Sequence, residues 1–171
     1  TDYHSETPCV EIIAGRQNIY ALELFDQDMV GLASMYDQQV LEIFNRFKVR
    51  MITKDTNANT ITHYVGLPMK RVQRAVKAIR EKFPNAEINL RKVALVSAIG
   101  SDMQVPGILA STVKILANAG ISILAMHQSM RQVDMQFIVD DNDYQTAVIE
   151  LHQGLINKDQ VNREKNKQAA A

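Results

Sequence analysis

The sequence predicts an α+β fold made of two copies of one small βαββαβ unit. When the chain is compared with itself at an offset of 74 positions, residues 19–22 lie over 93–96, and residues 47–49 lie over 121–123. At the same offset, an apolar run in each half ends in a glycine-containing turn that leads into a helix. Two copies of one unit can pair their sheets and create ligand sites between them. We therefore expect the function to lie where copies of the unit meet.

The length of the chain also fits two small units. Each half of the 171 residues would bury only about 60% of the surface that its unfolded chain exposes. Because such a unit is marginally stable alone, the two copies should share a core or associate with further copies. We expect an oligomer.

The composition argues against several classes of protein. Nineteen basic residues balance nineteen acidic ones, which removes the positive field on which non-specific nucleic-acid binding depends. No apolar run approaches the roughly 20 residues of a membrane span. Cys9 is the single cysteine, so neither a disulfide framework nor a cysteine-based zinc site can form, which fits a reducing cytoplasm. We expect a cytoplasmic location, with neither nucleic acid nor a membrane as a partner.

The first unit is predicted over residues 16–91. Alternation of apolar and polar residues predicts a strand over 19–25, a hairpin of two strands over 49–65, and a final strand over 86–90. Two helices are predicted from apolar positions at helical spacing, which are Val40, Leu41, Phe44 and Phe47 for the first and Val72, Ala75, Val76, Ile79 and Phe83 for the second. This order of elements is ferredoxin-like, with two helices on one face of an antiparallel sheet.

The second unit repeats this order but lacks its last strand. The predicted elements are strands over 93–99, 121–128 and 132–139 and helices over 106–119 and 144–155. Residues 157–171 follow as a polar tail that we expect to be flexible. The unassigned strand over 10–14 has the length and the apolar character to fill the gap. The second unit would then consist of residues 9–15 plus 92–156, with the first unit inserted into it.

The sequence contains no arrangement typical of catalysis or of metal binding. The four histidines are scattered over a tail, two predicted strands and a helix, and they are His4, His63, His127 and His152. There is no phosphate-binding glycine motif and no nucleophile elbow. Asp26 and Asp28 could form a carboxylate pair, but neighbouring acids before a helix are more often turn formers or caps. We predict no catalytic residue, no metal site and no cofactor in this chain.

Two loops between a strand and a helix are the best candidates for a binding site, at residues 27–31 and 101–107. A loop at a helix N-terminus presents unpaired backbone N–H groups that suit a carboxylate, and an aspartate beside it suits an ammonium group. Together these groups fit a free amino acid. The alternative is that both loops are simple turns with an N-capping acid.

Several segments resemble tandem ACT domains. They are the run VALVSAIGSDM at 93–103, VPG at 105–107, GISI at 120–123 followed by Gln128-Ser129, and the helix AVIELH at 147–152. More narrowly, residues 9–156 resemble the C-terminal regulatory region of aspartokinase, the enzyme that phosphorylates the side-chain carboxylate of aspartate with ATP. The resemblance implies that the first ACT unit is inserted into the second, in agreement with the missing strand.

The resemblance also implies an effector site. Members of this family bind lysine, threonine or both at ACT–ACT interfaces, through the loop after the first strand and the start of the second strand. In the first unit the corresponding residues are Gln27, Asp28, Met29, Val30 and Gly31 with Val49, Arg50, Met51 and Ile52. In the second unit they are Ser101, Asp102, Met103, Pro106 and Gly107 with Ser122, Ile123 and Leu124.

The chain departs from the family pattern at some of these positions. The first loop lacks the usual D-x-P-G, Ser122 stands where an asparagine is usual, and Arg50 occupies a strand start that normally carries a small or acidic residue. Such losses are typical of a branch freed from lysine feedback, for example one dedicated to making ectoine.

The resemblance implies regulation rather than catalysis by these residues. The ATP-binding segment and the catalytic basic residues of the kinase do not occur in the sequence, so ATP and magnesium are expected only in a kinase domain. We predict an amino-acid-sensing homodimer that regulates an aspartokinase catalytic domain or subunit, with lysine or threonine as its effector. The alternative is a purely structural dimerisation module without an effector.

Overall fold

The computed structural model describes residues 9–101, 103 and 106–157. Asp102 and nearly all of the predicted polar tail lie outside the described residues. Six strands are β1 Cys9–Phe25, β2 Met51–Thr56, β3 Thr60–Gly66, β4 Glu87–Ser101, β5 Ala125–Gln128 and β6 Asp134–Asp140. Four α-helices are α1 Ala33–Phe47, α2 Met69–Lys82, α3 Ile108–Asn118 and α4 Tyr144–Leu151.

The strands follow one another across the sheet in the order β2-β3-β1-β4-β6-β5. Two compact units divide the chain, of which one comprises Asn18–Val93 and the other combines the chain up to Gln17 with the chain from Ala94. The first therefore has the order β2-β3-β1-β4, and the second has β1-β4-β6-β5, which is the ferredoxin-like arrangement in both cases. This confirms the predicted fold class, with the first unit inserted into the second. The borders lie two residues later than the sequence placed them.

Two strands are longer than the sequence predicts. Residues 10–14 and 19–25 belong to a single strand, β1, and residues 86–90 and 93–99 belong to a single strand, β4. Gly15 lies just after the first of these predicted strands, and it continues β1. A Cβ atom on Gly15 would lie only 2.4 Å from Cε2 of Tyr144, so the glycine is needed for the close approach of this ring.

The core of the Asn18–Val93 unit lies between its sheet and the two helices α1 and α2. Every second residue of β1 contributes, because alternate side chains of a strand point to the same face. The largest buried side chains of this core include Leu22, Leu24, Met29, Phe44, Ile61 and Ile79. The stripe of α2 that the sequence predicted packs here, with Val72 and Ala75 fully buried.

The core of the other unit is built in the same way around α3 and α4. It contains Val10 from the N-terminal part of β1, which is 2% exposed. The remaining buried side chains include Val96, Met103, Leu116, Phe137 and Leu151. The N-terminal strand thus packs in the second unit, as the missing-strand hypothesis requires.

The two units are not offset by 74 residues throughout. Both α1 and α3 end in the same hydrogen-bond pattern, in which Val49 N donates to Phe44 O and Ile121 N donates to Leu116 O. The preceding residues, Lys48 and Gly120, both have positive φ angles of 55° and 73°, as a Schellman cap requires. The local offset is therefore 72, and the predicted match of 47–49 with 121–123 is wrong.

Three element boundaries in the second unit also differ from the prediction. Strand β5 begins at Ala125 rather than at residue 121, because Ile121 is used in the cap of α3. Helix α3 begins at Ile108 rather than at residue 106, and Gly107 forms its N-cap. Helix α4 continues into a π-helical turn, His152–Asn157, in which a Cβ on Gly154 would lie 2.5 Å from Ile115 Cδ1.

Candidate functional site

The loop after β1 is organised by the buried carboxylate of Asp26. This residue is 8% exposed and caps a 3-10 turn, Gln27–Met29. Its Oδ1 accepts a hydrogen bond from Asp28 N at 2.9 Å, and its Oδ2 accepts one from the Tyr36 hydroxyl at 3.0 Å. Asp26 is therefore a turn-forming cap, and it does not form a catalytic pair with Asp28.

Tyr36 holds this capping carboxylate in place from α1. Its ring stacks on Phe83 with 4.6 Å between the ring centroids. Burial raises the pKa of Tyr36, and the hydrogen bond to Asp26 raises it further. The hydroxyl therefore remains a donor, and the conformation of the loop is anchored to the core.

The outer part of the same loop faces solvent. Gln27 and Asp28 are exposed, and Val30 is 62% exposed. Gly31 has a φ of +80°, a left-handed conformation that favours glycine. Helix α1 then begins after Leu32 without a side-chain cap and without an acidic residue in its first turn. The first N–H groups of α1 can donate hydrogen bonds to an anion. The carboxylate of Asp28 can bind a cation.

The loop after β4 repeats part of this arrangement. Gly107 is the N-cap of α3 with a φ of +97°, and α3 also lacks a side-chain cap. Ser101 Oγ donates a hydrogen bond to Glu11 Oε1 at 2.7 Å, which ties the end of β4 to β1. Pro106 and Gly107 are exposed. Asp102, the counterpart of Asp28, lies outside the residues that the structure describes.

Met29 and Met103 belong to the cores of their units. They are 0% and 1% exposed and lie at equivalent positions, 74 residues apart. Each side chain closes the core below its loop. The sequence placed both in the effector site, whereas in the structure their side chains pack against apolar neighbours.

The remaining predicted effector residues lie around the starts of β2 and β5. Arg50 is exposed and Met51 is 38% exposed, whereas Val49 and Ile52 are half-buried. Ser122 is exposed and Leu124 is 37% exposed, whereas Ile123 is half-buried and packs on the core of its unit. Arg50 O accepts a hydrogen bond from Gly66 N at 3.0 Å.

Within one unit, these segments lie at the opposite end of the sheet from the loops. Phe25, just before the first loop, pairs with Thr60, whereas Met51 pairs with Val65 near the other end of β3. The second unit shows the same separation. Near its loop, Gly100 N donates to Val133 O, whereas just before β5, Leu124 N donates to Ile138 O near the other end of β6. Five residues of extended chain correspond to about 17 Å. One unit alone therefore does not assemble the two segments into a single pocket.

A groove of about 510 Å³ lies elsewhere, between α1 and α2. Its lining residues are Gln39, Glu42, Ile43, Arg46, Ala78, Glu81 and Lys82. None of the predicted effector residues lines it. Among the described residues, no three His, Cys, Asp or Glu side chains are grouped as a metal site. No helix in the described ranges is long and apolar enough to cross a membrane.

A polar cluster formed by Asp37, Lys54 and His63 was not predicted from the sequence. His63 is fully buried, and its Nε2 lies 2.9 Å from Asp37 Oδ1. Lys54 Nζ donates to the other oxygen of Asp37. Strands β3 and β6 have nearly the same pattern of buried residues. In β3, His63 pairs with Lys54, and in β6, Phe137 pairs with Met126 at the equivalent position. His63 therefore occupies the position that a core phenylalanine has in the other unit.

The protonation states of this cluster follow from its burial and its hydrogen bonds. Burial lowers the pKa of His63, and the hydrogen bond to Asp37 opposes that effect only in part. Burial alone would raise the pKa of Asp37, but hydrogen bonds from Lys54 and His63 hold that pKa below its usual value. A neutral His63 therefore donates from Nε2 to an ionised Asp37. The only sequence signal for this cluster was a histidine at an inward position of a predicted strand.

Comparison with known proteins agrees with this architecture. Residues 85–153 match the ACT domain family. Over 155 residues the chain is 50% identical to aspartate kinase Ask_Ect of Stutzerimonas stutzeri. The aligned region covers 91% of the chain and 32% of that kinase. Residues 85–153 are therefore similar to an ACT domain, and the chain spans about a third of the length of that kinase. The resemblance to the aspartokinase regulatory region is thereby confirmed.

Solved structures of aspartate kinases share this fold. The regulatory subunit of aspartate kinase from Thermus flavus matches 85% of the chain over 98% of its own length, with a TM-score of 0.71 at 18% identity. E. coli aspartokinase III in complex with lysine and aspartate matches 90% of the chain over 35% of its own length, with a TM-score of 0.68 at 17% identity. The chain matches the regulatory and not the catalytic part of these enzymes, as the sequence predicts.

Proposed function

We propose that these ACT units sense a free amino acid, lysine or threonine, and regulate an aspartate kinase catalytic domain or subunit in the cytoplasm. The observation that carries the proposal is the solvent-facing loop after β1. It combines the exposed Asp28 carboxylate with an uncapped N-terminus of α1, so it offers partners for both charged groups of a free amino acid. One structural neighbour, aspartokinase III, is in complex with lysine and aspartate.

The proposed site lies between ACT units of two copies of the chain. Since the loop and the start of β2 lie at opposite ends of one sheet, a second unit has to supply the other half of the pocket. A ligand bound there stabilises one arrangement of the homodimer, and a coupling of about 1–3 kcal/mol to the kinase is typical of such regulation. ATP and magnesium act in the kinase domain, and this chain binds no cofactor of its own.

Calorimetric titration of the full chain with lysine and with threonine tests the proposal. We expect one of them to bind, and Asp28→Ala to weaken that binding at least tenfold because the ammonium group loses its carboxylate. Glu87→Ala, which removes an exposed acid on β4, is the matched control and should bind as the wild type does. Binding that is unchanged in Asp28→Ala would contradict this location of the site.

A purely structural dimerisation module is the second candidate. It is favoured by the first loop, which lacks the D-x-P-G of the family, and by the burial of Met29 and Met103 within the cores. In that case neither amino acid binds and the chain still forms a dimer. A feedback-insensitive branch, such as one dedicated to ectoine, would have this behaviour.

A further inference from the structure

Helix α2 has an unusually basic exposed face. Six of its fourteen residues are Lys or Arg, and Glu81 is its single acid. The basic residues are all exposed, and they are Lys70, Arg71, Arg74, Lys77, Arg80 and Lys82. The apolar face of the helix is buried against its own sheet. The charged face is therefore the part of α2 that can meet another molecule.

The basic residues of α2 have few polar contacts within the described part of the chain. Among residues 9–101, 103 and 106–157, no ion pair involves any of Lys70, Arg74, Lys77, Arg80 and Lys82. Arg71 donates a hydrogen bond to the carbonyl of Lys48 at 3.4 Å. An array of unpaired like charges repels itself, and an anionic partner would relieve that repulsion.

The equivalent region of the second unit carries the opposite charge. Residues 132–157 contain no Lys or Arg, and they contain five acids, Asp134, Asp140, Asp141, Asp143 and Glu150. This region includes α4, the counterpart of α2. Residues 18–93 contain 12 basic and 8 acidic residues, and the rest of the chain contains 7 basic and 11 acidic residues. The two units thus have net charges of +4 and −4.

We propose that the basic face of α2 in one copy of the chain binds the acidic region around α4 in a second copy. The five acids of residues 132–157 are half-buried, so they form a partly accessible acidic counterpart to the exposed basic face of α2. In a dimer with a twofold axis, the contact would form twice. This inference rests on the proposed homodimer and names the surface that holds it together. Complementary charges of this kind set orientation and association rate, and they are sensitive to salt.

Sedimentation equilibrium of the full chain at low and high salt tests the surface. The screening length falls from about 10 Å at 0.1 M salt to about 3 Å at 1 M, so we expect weaker self-association at the higher concentration. Reversing two exposed charges in Arg74→Glu/Lys77→Glu should weaken the dimer roughly tenfold, since each exposed pair contributes a modest amount and the contact occurs twice. Lys114→Glu/Arg131→Glu, which reverses two exposed basic residues outside α2, should dimerise as the wild type does.

A charge swap makes the test independent of any loss of folding. Asp143→Lys/Glu150→Lys alone should weaken the dimer to a similar extent. A mixture of this variant with Arg74→Glu/Lys77→Glu should form a mixed dimer, because both contacts then again join opposite charges. Absence of the mixed dimer, or a salt-independent dimer, would overturn the proposal.

The outcomes separate this inference from the proposed function. If Arg74→Glu/Lys77→Glu dimerises like the wild type, the surface is wrong and the proposed homodimer stands. A wild-type chain that stays monomeric at every concentration tested contradicts both. Binding of double-stranded DNA through Arg74 and Lys77 without self-association would assign the face to a different partner and would also overturn the inference.

Discussion

Replacing His63 with phenylalanine should remove a pH dependence from the stability of this chain. His63 is fully buried, and its Nδ1 has no hydrogen-bond partner among the described residues. Its ring is perpendicular to that of Phe44, with 5.1 Å between the ring centroids. The charged groups that face it are Asp37 on α1 and Lys54 on β2. The substitution gives this position the residue found at Phe137 in the other unit.

The sign of the effect follows from the pKa of His63, which burial lowers below the ordinary value. As the pH falls below about 6.5, His63 takes up a proton in the unfolded chain but not in the folded one. The free energy of unfolding therefore falls with pH by up to about 1.4 kcal/mol per pH unit between the unfolded and folded pKa values. Above that window, the contribution is fully present.

The phenylalanine variant should lack this slope. At about pH 7.5, above the ordinary histidine pKa, the loss of an unsatisfied buried nitrogen gains about 1–3 kcal/mol, and the larger ring costs a similar amount of about 1–3 kcal/mol. The ionised Asp37 also loses the hydrogen bond from Nε2, which costs about 1.5–3 kcal/mol. The variant is therefore expected to be less stable than the wild type at this pH, and the pH slope is the diagnostic quantity.

Urea unfolding followed by circular dichroism measures that slope between about pH 7.5 and pH 5.5, on either side of the ordinary histidine pKa. His152→Gln, at an exposed position in the π-helical turn, is the control and should keep the slope of the wild type. Identical slopes in the wild type and in His63→Phe would refute the assignment of a neutral, buried histidine.

Two further substitutions test local packing. Gly15→Ala should destabilise the chain by about 1–3 kcal/mol, because the added methyl group meets the ring of Tyr144. In urea unfolding, the double variant Gly15→Ala/Tyr144→Leu should recover part of this lost stability. An undiminished loss would count against the contact. Asp26→Ala should cost about 1–3 kcal/mol by leaving the Asp28 N–H and the Tyr36 hydroxyl unpaired. A double-mutant cycle with Tyr36→Phe should then give a loss smaller than the sum of the two single losses, whereas strict additivity would show that the two side chains do not interact.

The order of strands and helices could be predicted from the sequence because it depends on local periodicity. Alternation in β1 and the apolar stripe of α2 each reflect one buried face of one element. The N-terminal strand at Val10 was assigned to the second unit because no other segment completes that sheet. These features are properties of short segments, so a single sequence is sufficient to reveal them.

The continuation of β1 through Gly15 was missed because it depends on a contact distant along the chain. A glycine between two apolar runs usually marks a turn, and only the position of Tyr144 shows why a strand needs it here. The start of β5 was missed for a similar reason. Ile121 has the composition of a strand residue, but it is committed to the end of α3.

The candidate site was predicted in part. Position relative to β1 and α1 indicated that Asp28 and Gly31 lie in an exposed loop. Only the resemblance placed Met29 and Met103 in the effector site, because a methionine in a loop gives no sign by itself of the direction in which its side chain points. The cluster around Asp37 was missed because its members come from three separate elements.

The two long strands have a consequence for the order in which the chain folds during synthesis. Every strand of the Asn18–Val93 unit has been made once residue 93 leaves the ribosome, so this unit can fold early. The segment just before it, from Cys9 to Gln17, is made earlier but can pair only once β4 is completed. This segment therefore finds its place after the unit that follows it in the chain, and until then it is an unpaired strand of the nascent chain.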